Sequence, residues 1–250
     1  MRSVRLRTVT PLVGFFLAVL LVTPASAQEK SGRKEGFVLS EKSAKILFVR
    51  PTIKVGAQST GGMFEPNADW TAQAKENLTA ALSAAQGKLG NEVVVAEEPV
   101  GSAADTLADY RALFSVLADS VIQYQFFPGN RLPTKKRKGS FEWTVGPDVA
   151  AIAKETGADY ALFIYTEDQF GSTGRKVLQL FAAMAYVSVK SGEHKGFAGL
   201  VDLWNGDLVW LNADLAMGGD VRTPEGAQKR VAQLLKDFPG GAREIVTAAK

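Results

Sequence analysis

The chain has 250 residues, of which 29 are basic and 26 acidic, with one histidine and no cysteine. The missing cysteine excludes disulfides, iron–sulfur clusters and every thiolate metal site. A single histidine excludes the usual zinc ligand sets.

Arg2, Arg5 and Arg7 open the chain, an apolar run follows from Pro11 to Val22, and a small-residue end, Ala25-Ser26-Ala27, closes the segment. A basic start, a short apolar core and an Ala-x-Ala end predict a secretory signal peptide cleaved after Ala27. The run is shorter than the roughly 20 residues a spanning helix needs. No cysteine stands at the expected mature start, so the exported chain is not read as a lipoprotein. The three arginines are the whole excess of basic over acidic residues, and the chain beyond them is formally neutral. A neutral chain has no global attraction for nucleic acid, and that partner class is excluded. The expected location is the periplasm, with no transmembrane helix in the mature chain.

Residues 28–44 are polar and charged and read as a flexible leader. A single domain is expected from 45 to 250, long enough to hold a core without disulfides. Ile46 to Val49 is a short apolar run of strand length that Pro51 ends or places at an edge. Asp69 is a candidate cap for a helix from Trp70 to about Gln86, and Val93 to Val95 forms a compact strand after it. Ser102 and Asp105 open a long helix on which Leu107, Tyr110, Phe114, Leu117, Val121 and Tyr124 share one side, the ordinary stripe of a helix packed on a core.

The segment after it breaks the pattern and carries Arg131, Lys135, Lys136, Arg137 and Lys138. This is the one local concentration of charge, read as a solvated loop with contact to an anionic envelope surface as the sharper alternative. Pro147 then starts a short helix that Gly157 closes. Ala158 to Tyr165 is continuously apolar and aromatic, the pattern of a central strand covered on both faces. Residues 173–189 fit a helix better than a strand, with burial and exposure both open. Gly171 to Lys176 resembles a phosphate loop only loosely, and its natural reading is a plain helix start. His194 falls in a polar stretch read as a turn. Without a Gly-x-Ser-x-Gly turn no serine triad is expected around it.

Residues 196–215 hold two strand-like runs around Asn205-Gly206, the pattern of a hairpin with a two-residue type I′ turn. That register pairs Val201 with Trp210 and makes Asp202 and Asp207 diagonal neighbours, about 7–8 Å apart. The gap lies within the about 6.5–9.5 Å of an inverting glycosidase. Acidic residues are equally at home in turns, and the hairpin reading is preferred. Thr223 and Pro224 start a last helix carrying Ala227, Val231, Leu234, Leu235 and Phe238. Alternating strands and helices, then a hairpin and a helix, predict an α/β (α+β) domain. Its expected form is a three-layer mixed sheet with helical crossovers.

Gly157, Ala158, Asp159 and Tyr160, followed by Asp202, Gly206, Asp207 and Trp210, resemble a pattern of small bacterial envelope domains. These are the TolB amino-terminal domain, the curli secretion-channel (CsgG-type) subunit and the lipoprotein activators of cell-wall synthases. The resemblance spans about residues 150 to 240 and implies a non-enzymatic α/β module used for protein–protein contact. It implies neither a pore nor synthase activation, since the lipid-bearing cysteine and the TolB propeller repeats are absent. The expectation is a protein-binding envelope module with no cofactor and no metal, the exposed aromatics of the hairpin and of 173–189 serving as contact points. The alternatives are a hydrolase using Asp202, Asp207, Glu167 or Asp168, and a soluble carrier of an apolar ligand, which needs an internal cavity.

Overall fold

The computed structural model describes residues 29–39, 44–86, 92–95, 102–126 and 140–240. The expected signal and its cleavage point lie outside them, as does the basic cluster Arg131 and Lys135 to Lys138. Among the described residues eight strands form one sheet, six of them in the order β1 (Glu29–Arg33), β8 (Leu208–Asp214), β7 (Glu193–Asp202), β6 (Tyr160–Gly171), β2 (Lys45–Phe48) and β5 (Glu92–Val95). β2 runs parallel to β5 and to β6, whereas each neighbouring pair along β6, β7, β8 and β1 is antiparallel. The mixed sheet with helical crossovers and a carboxy-terminal hairpin is the expected architecture.

Pro51 shapes the sheet at its centre. Lacking an N–H, it interrupts the strand that begins at Lys45, and the chain resumes as β3 (Thr52–Gln58). β2 pairs with the first residues of β6 and β3 with Tyr165 to Gly171. β3 carries β4 (Phe64–Pro66) on its other side. The chain from Lys45 to Gln58 is therefore two strands laid end to end along β6, which at twelve residues is long enough to hold both.

Each face of β6 packs on a separate core. Leu162 and Ile164 join α1 (Ala68–Gln86) and α5 (Pro224–Leu234) through Leu78, Leu82, Val231 and Leu234. Ala161, Phe163 and Tyr165 face α2 (Ser102–Val121) and α3 (Ala150–Thr156) through Phe114, Val121, Ile152 and Ala153. Alternation along one strand thus makes three layers. On α2 the expected stripe holds as far as Val121, where a π-helical segment, Ile122–Phe126, rotates the chain. Ile122 and Phe126 are buried as a result, and Tyr124 is exposed. Asn67, not Asp69, caps α1, its side chain accepting from the Trp70 N–H at 2.9 Å. Pro147, the left-handed Gly157 and the Thr223 cap stand where the sequence places them.

Two local expectations are corrected. Residues 29–33, read as part of a flexible leader, are an edge strand on β8. Glu-Lys-Ser-Gly-Arg has no apolar alternation, and its order comes from backbone pairing with β8. Phe126 and Phe141 pack so closely over Gly32 that a side chain there would overlap them. The hairpin loop is also longer than two residues. Val201 pairs with Leu208, Leu200 with Trp210, and a bulge lies between them. Asp202 donates its N–H to the Asp207 carbonyl, and the Gly206 N–H returns to the Asp202 carbonyl, both at 2.9 Å. Only Gly206 adopts positive φ, so the type I′ turn, which needs two such residues, does not form. Asp202 and Asp207 stand opposite each other instead of diagonally.

Candidate functional site

The acidic candidates fall in three separate places. At the hairpin, Asp202 accepts from the Trp204 N–H at 2.8 Å and from the Asn205 amide at 3.1 Å, while Asp207 pairs with Lys34. Asp159, just before β6, accepts from the Lys45 N–H at 2.9 Å and from the Trp204 indole at 3.3 Å. These side chains tie loop to strand.

At the far end of β6, eight residues and therefore about 27 Å away, Glu167 and Asp168 point to opposite faces. Glu167 accepts from the Tyr165 hydroxyl, from the Gln169 amide at 2.8 Å and pairs with Lys195 at 3.4 Å. Burial opposes its charge, yet those three donors hold its carboxyl below the ordinary range. The pKa of Asp119 on α2 is raised, chiefly by desolvation and with a contribution from the charge of Glu167.

Asp168 belongs to a network that the sequence did not disclose. Its side chain and that of Arg230 are both 0% exposed. Arg230 Nη1 donates to Asp168 Oδ2 at 2.8 Å and to Thr166 Oγ1 at 2.6 Å, and Nη2 donates to Asp168 Oδ1 at 2.7 Å. The carbonyls of Gly218 and Gly219 take the remaining guanidinium donors. His194 is not in a turn. It lies in β7 directly across from Asp168, with Nδ1 2.6 Å from Asp168 Oδ1. Its ring meets Phe170 edge-on, and the guanidinium of Arg222 covers Phe170 with its carbon 3.7 Å from the ring centroid. Burial works against the Asp168 charge, but hydrogen bonds from His194 and Arg230 outweigh it and depress the pKa.

An Asp–His pair of this kind serves hydrolysis when a nucleophile stands at Nε2. Gly192 comes close to that nitrogen, and an added Cβ there would lie 3.4 Å from it. The arrangement is a satisfied buried ion pair with a histidine at its mouth. A lone cation on the apolar face of a helix, here Arg230 between Ala227 and Val231, was its readable sign. Among the described residues, no group of three or more His, Asp or Glu side chains can hold a metal ion. An open surface groove of about 420 Å³ is lined by Arg50, Pro51, Ile53, Lys75, Glu76, Thr79 and Ala80.

The most unusual surface is the helix α4 (Thr173–Met184). It starts where the Gly171 to Lys176 stretch predicts, with Ser172 as its cap accepting from the Arg175 N–H at 3.2 Å. Arg175 anchors the first turn, donating to the carbonyls of Lys190 at 2.9 Å and Thr60 at 3.0 Å. Beyond that turn no residue of the helix is buried. Val177, Leu180, Phe181 and Met184 recur at helical spacing on one side, and Phe181 is 61% exposed. A helix normally covers such a stripe.

The helix ends in a Schellman arrangement: Val187 N–H reaches the Ala182 carbonyl at 2.8 Å and Tyr186 N–H the Ala183 carbonyl at 3.0 Å. Tyr186 occupies the left-handed position, φ 59°, where glycine is the usual residue, and it is 100% exposed. Replacing Tyr186 by glycine is expected to stabilise the isolated protein by about 0.5–1 kcal/mol, because the left-handed strain disappears while glycine's extra unfolded freedom offsets part of the gain. Urea unfolding reads this directly, and a loss of stability would show that the tyrosine makes contacts in the folded chain.

Trp204 at the hairpin is also exposed, whereas Trp210 is buried. Trp204 and α4 lie at opposite ends of the sheet, so they cannot form one surface.

No protein-family model matches the sequence, and no curated protein matches it. Solved structures do. A PelC dodecamer from Paraburkholderia phytofirmans aligns over 86% of this chain and 99% of its own, at 13% identity and a TM-score of 0.35. A point variant of that dodecamer aligns over the same shares at 14% identity and a TM-score of 0.37. Lipoprotein GNA1162 from Neisseria meningitidis aligns over 68% of this chain and 79% of its own, at 16% identity and a TM-score of 0.30. The likeness is one of fold outline, and no residue role follows from it.

Proposed function

We propose that this protein is an exported, non-catalytic module of a bacterial cell envelope that acts by binding, and that the apolar side of α4 is its contact surface. The observation that carries this reading is a twelve-residue amphipathic helix with no buried residue, its first turn anchored to the domain through Arg175. An apolar stripe left in water is unfavourable at every position, and such surfaces mark interaction sites. The signal-like start of the sequence supports export, and the absence of cysteine supports attachment without a covalent lipid. The engagement of Asp202, Asp207, Glu167 and Asp168 in local hydrogen bonds and ion pairs supports binding over hydrolysis.

The test is fractionation of cells expressing the exported chain. The unaltered protein is expected with the envelope fraction, and a variant carrying Leu180→Ser and Phe181→Ser is expected in the soluble periplasm. The two proteins should unfold at the same denaturant concentration, since both side chains are largely exposed. Equal distribution of the two proteins would remove α4 from the function.

A further inference from the structure

Resting on that reading of α4, we propose that the surface it meets is an anionic lipid bilayer. The helix would lie flat on it, with Val177, Leu180, Phe181 and Met184 in the acyl boundary and Tyr186 at head-group level. The length is suitable, since twelve residues make about 18 Å of helix. Short helices of this kind, polar on one side and apolar on the other, bind in the interface plane without crossing it.

Charge selects the lipid. From Gly171 to Gly192 the chain has no acidic residue, while Arg175, Lys176 and Lys190 all fall within it. In a chain that is formally neutral beyond its first three arginines, this local cationic segment complements phosphatidylglycerol or cardiolipin head groups. Lys176 stands one turn from Leu180, beside the apolar stripe, where its stem can reach along the surface with the ammonium in water.

Size argues against a protein partner. A standard protein interface uses about 20–30 residues on each side, and the exposed apolar set here is Val177, Leu178, Leu180, Phe181, Met184, Tyr186 and Val187. Lipid demands no matching shape and accepts a stripe this narrow. Tyr186 adds a second, independent sign. A bulky aromatic is held at a left-handed position with nothing packed on it, a cost that folding does not explain. Tyrosine is favoured where one end of a side chain is apolar and the other wet, as in the head-group layer. Met63, also exposed, sits on the loop whose Thr60 and Gly62 touch the first turn of α4, placing one more apolar side chain at that end.

The experiment is vesicle flotation of the chain from Gln28 onward, which contains every described residue and lacks the apolar run from Pro11 to Val22. Binding is expected to phosphatidylcholine vesicles containing phosphatidylglycerol, weakening as salt is raised, and much less to phosphatidylcholine alone. Lys176→Glu should lower binding to the anionic vesicles by roughly fivefold or more at low salt, about what one basic residue near such a surface contributes. Leu180→Ser with Phe181→Ser should lower it by at least about tenfold, given the apolar area withdrawn. As a gain-of-signal check, Phe181→Trp should shift its emission to the blue on anionic vesicles.

No binding to either vesicle, or binding that ignores the Phe181 and Lys176 changes, overturns the lipid assignment. If light scattering instead finds a dimer that the serine variant abolishes, the lipid assignment falls and the contact role of α4 stands. If the serine variant also leaves envelope fractionation unchanged, the contact role falls with it.

Discussion

Replacing Arg230 by alanine is expected to destabilise the protein by about 3–5 kcal/mol, the cost of leaving a buried carboxylate without its cation. Asp168 is fully buried in the sheet's centre, across from Val55 on one side and His194 on the other. Without the guanidinium it keeps only the histidine at 2.6 Å and a longer contact from Thr166 at 3.3 Å. The carbonyls of Gly218 and Gly219 lose their donor at the same time. Urea unfolding of the single variant and of the double variant Arg230→Met with Asp168→Leu separates two explanations. If the loss comes from an unpaired charge, the double variant should regain most of it, because a well-packed apolar pair of similar volume is often no worse than a buried ion pair. A double variant as unstable as the single one would mean that shape, not charge, is what Arg230 supplies.

The same pair sets a pH dependence whose sign is fixed by the direction of its shift. The folded Asp168 has a pKa below its ordinary 3.8. Its contribution is therefore fully present above the unfolded value and is lost as pH falls through the folded one. Glu167 is depressed in the same direction, and so is Asp220, chiefly through its hydrogen bonds to Arg222. Asp119 is raised by burial and works the other way, favouring folding as it gains its proton. The stability difference between the parent and Arg230→Ala should accordingly be constant near neutrality and narrow as pH drops below about 4.

How far all this was readable depends on whether a residue's role is local. Thr223, Pro224 and Gly157 act within one turn of chain, and their effects stand where the sequence puts them. The apolar run from Ala158 marks β6 as central because a strand covered on both sides has nowhere to place polar groups. It does not disclose that the strand continues through Thr166, Glu167 and Asp168, since their partners come from Arg230, Lys195 and His194 elsewhere in the chain. His194 read as a turn residue because its neighbours are polar, and β1 read as a leader for the same reason. Both are ordered by pairing with distant backbone, which leaves no periodic trace. For α4, alanine content and length favour a helix over 173–189, but composition reports neither which face is apolar nor whether anything covers it.

Gly206 gives the second large effect, and it discriminates between the two readings of the acidic hairpin. Gly206→Ala is expected to cost about 2–4 kcal/mol, combining left-handed strain with a backbone overlap that cannot relax freely. Its φ is 81°, and a Cβ would stand 2.1 Å from the Gly146 carbonyl oxygen. Neither segment can retreat, because the Gly206 carbonyl is itself held by the Val145 N–H at 2.9 Å and the Thr144 hydroxyl at 3.0 Å. Asp202→Asn should be mild by comparison, within about 1 kcal/mol, because an amide oxygen can still accept from the Trp204 N–H. Thermal unfolding of the two variants checks the order. If the loop is scaffolding that seats segment 143–146 against β8, the backbone change must be the damaging one and the loss of a carboxylate charge nearly silent. A reversal of that order would mean that the charge on Asp202 matters more than the turn it caps, which is the signature of an acidic site and not of a hairpin.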